Sequence, residues 1–166
     1  DEKDIANPSM IYGDHKRIIE EFINKATDNF ITLRLARVYT SDMNDNSLLS
    51  SWFNQINNRK KPAIDCAFDQ IFSPIYIGDI AKTIKCLIVE DFTGTINVGG
   101  PEILTRLDCL KIFLNAFQIN NNIIVKKSIN DFDSPEKRPI DLSFNISLLL
   151  NNIDFNLKTM NEICAV

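Results

Sequence analysis

Two side chains near the start of the chain have the types and the spacing for proton transfer. Tyr12 and Lys16 stand four residues apart, which on a helix is one turn along one face. A phenol can pass a proton to the alkoxide that forms when hydride adds to a ketone. A free phenol keeps its proton up to about pH 10, and an adjacent ammonium favours the phenolate, easing release near neutrality. The pair therefore suits reduction of a carbonyl by a nicotinamide, with Lys16 also able to hydrogen-bond the cofactor ribose. Taken alone, Y-x-x-x-K also arises on ordinary exposed helix faces, so its meaning depends on what surrounds it.

The elements that position the pair follow from punctuation and periodicity. Asn7-Pro8 reads as a helix opening, with Asn as N-cap and Pro at the first helical position. Ile18, Ile19, Phe22 and Ile23 recur at helical spacing, predicting a helix over about 9–27. Residues 31–36 read as a strand and 39–46 as a polar loop; Leu48, Leu49, Trp52, Phe53 and Ile56 mark a second helix. Short strands are expected at 63–68 and 73–77. Gly78-Asp79 then leads into a helix with Ile80, Ile84 and Leu87 on one face, Asp79 serving as its cap. A strand at 95–98 stops at Gly99-Gly100-Pro101, where the glycines would support a tight turn. A helix over 106–117, a last strand at 123–125, a loop at 134–139, a helical turn within 143–151 and a short tail complete an α/β order. Trp52 reads as packing and His15 as a partly exposed helix residue.

Composition narrows the classes. The net charge of −4 argues against a nucleic acid or an anionic membrane as partner. The one basic cluster, Arg59-Lys60-Lys61 before Pro62, reads as a solvated loop. No apolar run approaches the ~20 residues of a membrane span, and no signal peptide opens the chain. The four cysteines are widely spaced and His15 is the only histidine, so no metal site is expected, and buried reduced thiols in a cytoplasmic protein are. No G-x-G-x-x-G or Walker A loop follows any strand, so a dinucleotide site of the usual Rossmann design is not built by these residues alone.

Context gives the pair its meaning. Pro8-x-x-x-Tyr12-Gly13-x-x-Lys16 is followed by Leu33-Arg34-Leu35-Ala36-Arg37-Val38-Tyr39 and by Asp69-Gln70-x-x-Ser73-Pro74-x-Tyr76-x-x-Asp79-Ile80-Ala81. Then come Asn97-Val98-Gly99-Gly100-Pro101-Glu102-x-Leu104-x-Arg106 and Arg138-Pro139-x-Asp141-x-Ser143. In this order the strings resemble the extended short-chain dehydrogenase/reductases, and within them the dTDP-4-dehydrorhamnose reductase branch, from Pro8 to the 148–155 tail.

The resemblance implies the rear part of a Rossmann-like parallel sheet plus a smaller α/β substrate-binding lobe, without the N-terminal dinucleotide-binding half. Residues 1–42 would be the rear Rossmann segment. Residues 43–166 would be mostly the substrate lobe, interleaved with the last sheet strands, in one incomplete domain. Tyr12 would be the general acid and Lys16 its activator, both touching NADP or NAD, with Leu35 and Ala36 beside the nicotinamide. Arg37, Asp69, Gln70 and Arg138 would face the substrate, Arg138 near the diphosphate of a nucleotide sugar, where a guanidinium fork suits phosphate oxygens. Arg37 stands where an aromatic residue is common in this branch, and His15 where a small residue is usual. The family's carbonyl-binding Ser or Thr and its glycine-rich loop both lie upstream of the tyrosine, beyond the eleven residues that precede Tyr12.

The implied activity is NAD(P)H-dependent reduction of a 4-keto-6-deoxy sugar nucleotide, in deoxysugar biosynthesis, by a longer protein of which this is the C-terminal portion; the portion alone is expected to be inactive. The alternative is a regulatory NADP-binding protein resembling the methionine adenosyltransferase β subunit. Expected partners are then a nucleotide sugar, and either a second copy or a methionine adenosyltransferase catalytic subunit.

Overall fold

Aliphatic strands alternating with amphipathic helices give the chain its mixed α/β order. The computed structural model describes residues 1–45, 47–57 and 63–165. Helix α1 (Ile11–Ala26) leads into β1 (Ile31–Leu35) and β2 (Val38–Tyr39), followed by α2 (Leu48–Asn57). Strands β3 (Ile64–Ala67), β4 (Ile71–Phe72) and β5 (Ile75–Tyr76) precede α3 (Ile77–Val89) and β6 (Gly94–Val98). The rest is β7 (Leu104–Thr105), α4 (Arg106–Ala116), β8 (Ile124–Lys127), β9 (Asp141–Leu142), α5 (Ser147–Leu150) and α6 (Met160–Cys164). The expected basic loop at 59–62 lies outside the described residues.

Parallel pairs dominate, as crossover helices require. β1 runs parallel to β6 in the register Ile31↔Gly94 to Leu35↔Val98. β2 pairs with β5 and β3 with β8, both parallel. The remaining sheet has β4 at its centre, antiparallel to β7 and parallel to β9. That arrangement matters for function, because it sets the residue after β7 and the loop before β9 on either side of Gln70. Among the described residues β1 pairs only with β6, and Ile31 and Leu35 at its ends are 38% and 46% exposed.

Apolar burial falls into two clusters. One joins Ile75, Ile80, Leu87, Ile96, Val98, Leu149 and Leu157 under α3 and around β6. The other gathers Tyr39, Leu49, Trp52, Phe72, Leu110 and Phe113 with Met160 and Ile163. Each fully buried large side chain contributes about 1.5–3 kcal/mol. Trp52 is packing, as its sequence position suggested: it is 2% exposed, with its ring 5.9 Å from that of Phe113. Helix α4 starts on a capping box in which the Thr105 side chain accepts from the Asp108 N–H while the Asp108 carboxylate accepts from the Thr105 N–H.

Several expectations are corrected. The helix does not open at Asn7-Pro8; it begins at Ile11 after an extended Met10, and its first N–H is bonded by the Glu136 carboxylate at 3.1 Å. Pro8 instead lies across Gly13, where a Cβ would come within 2.8 Å of the proline Cβ. The strand expected at 73–77 is divided by Pro74, which has no N–H to give a ladder. Asp79 is not a helix cap. It sits inside α3, fully buried, and its Oδ2 accepts from the Lys158 N–H at 2.7 Å while Lys82 donates to Oδ1 at 3.2 Å. Gly99-Gly100 makes no positive-φ turn. Gly100 is needed because two backbones meet: a Cβ there would overlap the Pro74 carbonyl oxygen, and its N–H donates to the Ser73 carbonyl. Past residue 125 the chain adds the β9 strand and the α6 helix, short elements carried by tertiary contacts.

Candidate active site

Tyr12 and Lys16 project from the first two turns of α1, and the Lys16 ammonium lies 5.5 Å from the centre of the Tyr12 ring. Tyr12 is 70% exposed and Lys16 and His15 are also exposed, so phenol and ammonium face open space on one side of the helix. The helix is fixed in place by polar contacts. Arg34 on β1 donates to Glu20 through Nε at 3.1 Å, and the Glu136 carboxylate holds the α1 N-terminus, where negative charge suits the helix dipole.

Strand β1 is tied to this helix through Arg34 and Glu20. Leu35 is its last residue, and the Ala36 N–H donates to the Val98 carbonyl at 3.0 Å. In open α/β sheets the crevice at the carboxyl ends of strands is where ligands bind. Arg37 follows with an exposed side chain, while its carbonyl accepts from the Ile75 N–H at 2.9 Å.

The remaining candidates come from the loops around β4. Asp69 is occupied structurally: Ser128 Oγ donates to its Oδ2 at 2.6 Å and the Ile129 N–H to its Oδ1 at 2.8 Å. The Ser128 hydroxyl is the main reason its carboxyl stays below the usual carboxylate range. Gln70 is 4% exposed; its Nε2 donates to the Pro139 carbonyl at 3.2 Å and its own carbonyl accepts from the Arg106 N–H at 2.8 Å. Arg138 is half-buried and donates to Ser134 Oγ at 3.2 Å. Glu136 thus joins the two groups of residues: two positions from Arg138, it caps the helix that bears Tyr12.

Arg106 was not singled out as a site residue. It is the first residue of α4, half-buried, with its guanidinium 5.7 Å from the Phe132 ring and its Nε without a partner among the described residues. The string Leu104-x-Arg106 carried it in view, but only the β7–β4–β9 arrangement reveals which arginines it joins.

Neither of two prominent cavities contains the pair. One, of about 570 Å³, lies between α3 and residues 151–155 and is lined by Lys82, Cys86, Glu90 and Phe155. The other, of about 390 Å³, is lined by Gly100, Phe144 and Ile146. Tyr12 and Lys16 stand on an open face of α1. No group of three potential metal ligands occurs among the described residues, and no described helix is long and apolar enough to cross a membrane. The exposed phenol and ammonium of Tyr12 and Lys16 supply a hydroxyl and a cationic donor of the kind a ribose hydroxyl can meet. The residues present do not cradle the phosphates of a dinucleotide, because Gly13, Gly99 and Gly100 are each closed against other groups.

A family model, the RmlD substrate binding domain, matches residues 1–164. The chain belongs to this family. The crystal structure of dTDP-4-dehydrorhamnose reductase from Bacillus anthracis in complex with NADP superposes with a TM-score of 0.85 at 22% identity, covering 97% of this chain and 56% of that one. The dTDP-4-dehydrorhamnose reductase of Yersinia enterocolitica gives a TM-score of 0.82 at 17% identity over 97% and 57%. UDP-glucuronic acid decarboxylase 5 of Arabidopsis thaliana is 24% identical over 138 residues, 80% of this chain and 40% of the relative. This RmlD-type chain therefore spans about half the length of the proteins it matches. Its fold is the rear of a Rossmann-like parallel sheet with the adjoining α/β lobe, as in extended short-chain dehydrogenase/reductases that act on nucleotide sugars.

Proposed function

We propose that this chain is the C-terminal portion of an NAD(P)H-dependent reductase of 4-keto sugar nucleotides, with the 4-keto-6-deoxy sugars of the rhamnose branch as the first substrates to test. The observation that carries the reading is the Tyr12–Lys16 pair, exposed together on one face of α1 with the ammonium 5.5 Å from the ring centre. When bound, the nicotinamide supplies hydride. Tyr12 donates its phenolic proton to the oxygen that becomes the alcohol, and Lys16 eases that release and holds the ribose. Leu35 and Ala36 would help to hold the nicotinamide. Arg37, Gln70 and Arg138 orient the nucleotide sugar; Asp69 acts by holding the 128–129 turn in place. In this reading residues 1–42 carry the catalytic helix and 43–166 mostly the substrate lobe, and turnover needs a nucleotide-binding half that these residues do not build.

The test is NADPH or NADH oxidation by the full-length protein with dTDP-4-keto-6-deoxyglucose. Tyr12→Phe should lower kcat by about 10²–10⁴-fold, the usual worth of a positioned general acid, with substrate affinity little changed. An unchanged kcat would remove Tyr12 from the chemistry. Arg37 and His15, departing from the residue types common at these positions in this branch, leave room for a second reading, a regulatory NADP-binding subunit. Co-purification with a methionine adenosyltransferase catalytic subunit, without keto-sugar turnover, would select it.

A further inference from the structure

Three arginines stand on connections whose backbones meet at the ends of β4 and β5. Arg106 follows β7, Arg138 precedes β9, and Gln70 bridges them, accepting from the Arg106 N–H and donating to Pro139. Arg37 enters from the β1–β2 connection. Their mutual charge is felt: burial, and after it the charges of Arg37 and Arg138, hold the Arg106 guanidinium below its usual value.

The neighbourhood is rich in donors and short of acceptors. Among the described residues none of the three arginines lies within 4 Å of a carboxylate. Most carboxylates on the adjoining loops are engaged elsewhere: Asp69 with Ser128 and Ile129, Asp131 with the Ser128 N–H, Glu136 with Ile11, Asp108 with Thr105 and Asp141 with Ser143. Asp133 is exposed and pairs with none of the three arginines. Arg106 Nε is buried without an acceptor, and so is the Tyr39 hydroxyl, which lies in the field of both Arg37 and Arg106. A buried donor such as Arg106 Nε is costly unless a bound group meets it, while the exposed Arg37 and half-buried Arg138 are left free to meet the same group. A group that supplies only acceptors and negative charge is an oxyanion. The charge also exceeds what a nucleotide sugar with a neutral sugar offers. Its diphosphate carries two negative charges against three guanidinium groups.

We propose that Arg37, Arg106 and Arg138 form one oxyanion site for a nucleotide sugar whose sugar itself bears a carboxylate, the diphosphate meeting part of the positive charge and the carboxylate the rest. This rests on the nucleotide-sugar reading above and replaces the neutral methyl of a 6-deoxy sugar with an acid. Arg106 is the added specificity-determining residue, and Arg37, at a position where relatives of this branch often carry an aromatic, is its partner on the sugar side.

The test is calorimetric titration of the full-length protein with UDP-glucuronate and UDP-glucose, which differ only in the acid, and with the dTDP forms of the same two sugars. The acid form should bind about tenfold tighter or better, equivalent to about 1.4 kcal/mol. Arg106→Met should bring that preference close to one, by weakening the acid form far more than the neutral form. Arg37→Met, at an exposed side chain, should act in the same direction and serves if the Arg106 variant does not fold. Equal affinity for both sugars, or an Arg106→Met variant that weakens both alike, overturns the proposal and leaves the nucleotide-sugar reading standing. Binding of none of the four nucleotide sugars overturns both.

Discussion

Asp79 offers a sharp test of how helix α3 is held to the C-terminal tail. Its carboxylate is fully buried, with Oδ2 2.7 Å from the Lys158 amide and Oδ1 3.2 Å from the Lys82 ammonium. A hydrogen bond from an amide to a charged carboxylate contributes about 1.5–3 kcal/mol. Lys82 is 57% exposed, so its ion pair is screened and adds at most about 1 kcal/mol. Asp79→Ala should therefore destabilise the fold by about 2–4 kcal/mol. Asp79→Asn, which keeps an acceptor oxygen but no charge, should cost about 1–2 kcal/mol. Hydrogen exchange read residue by residue distinguishes this cross-link from a helix cap. Loss of the cross-link should release the Lys158 amide, with protection falling by more than an order of magnitude, since about 1.4 kcal/mol is tenfold. Loss of a cap would release instead the first amides of α3, around 77–80. If Asp79→Ala leaves Lys158 protected and frays only the start of α3, the reasoning is wrong.

Two further outcomes follow from charge and burial. The Asp69 carboxyl is held below its ordinary value chiefly by the Ser128 hydroxyl. Its stabilising share is thus fully present above the usual Asp range near pH 4 and disappears as pH falls through the lower folded value. Urea unfolding of Asp69→Asn and the parent should show a gap at pH 6 that closes toward pH 2; a gap that widens on acidification would refute this. Among the thiols, burial pushes Cys66 and Cys164 up to about 11 and Cys109 further still, whereas Cys86 is only half-buried. Brief treatment of the folded protein with a thiol reagent, read by peptide mass, should label Cys86 first, and prior labelling of Cys109 would contradict the packing.

Much of the fold was legible in the sequence because it rests on local signals. Aliphatic runs gave β1 and β6, and amphipathic spacing gave α1 to α4, within a few residues at their ends. The failures share a cause, in that long-range contacts set the outcome. Asn7-Pro8 has good cap chemistry, but the helix starts where Glu136, more than a hundred residues away, supplies the carboxylate. Asp79 has cap chemistry too, yet is drawn inward by an amide from the tail. Gly99-Gly100 has the composition of a turn, while the constraint is the nearness of Pro74. The proton-transfer pair was legible because both members lie on one helix. The arginine group was legible only in part, because its members come from separate connections: the β7–β4–β9 sheet brings in Arg106 and Arg138, and the β2–β5 pair brings in Arg37.

The attachment of α1 carries a last consequence. None of its residues is buried, and Ile11, Ile18, Ile19 and Phe22 are each at least half exposed. What tethers it is largely ionic: Glu20 to Arg34, and Glu136 to the first amide. An element held by charges over little apolar contact opens on its own, at a free energy far below that of the packed cores. Raised ionic strength loosens it while leaving those cores nearly untouched. The two side chains suited to the chemistry thus ride on the part of the molecule that orders last. In the proposed function, binding of a nucleotide against Tyr12 and Lys16 would be linked to the ordering of α1, each stabilising the other.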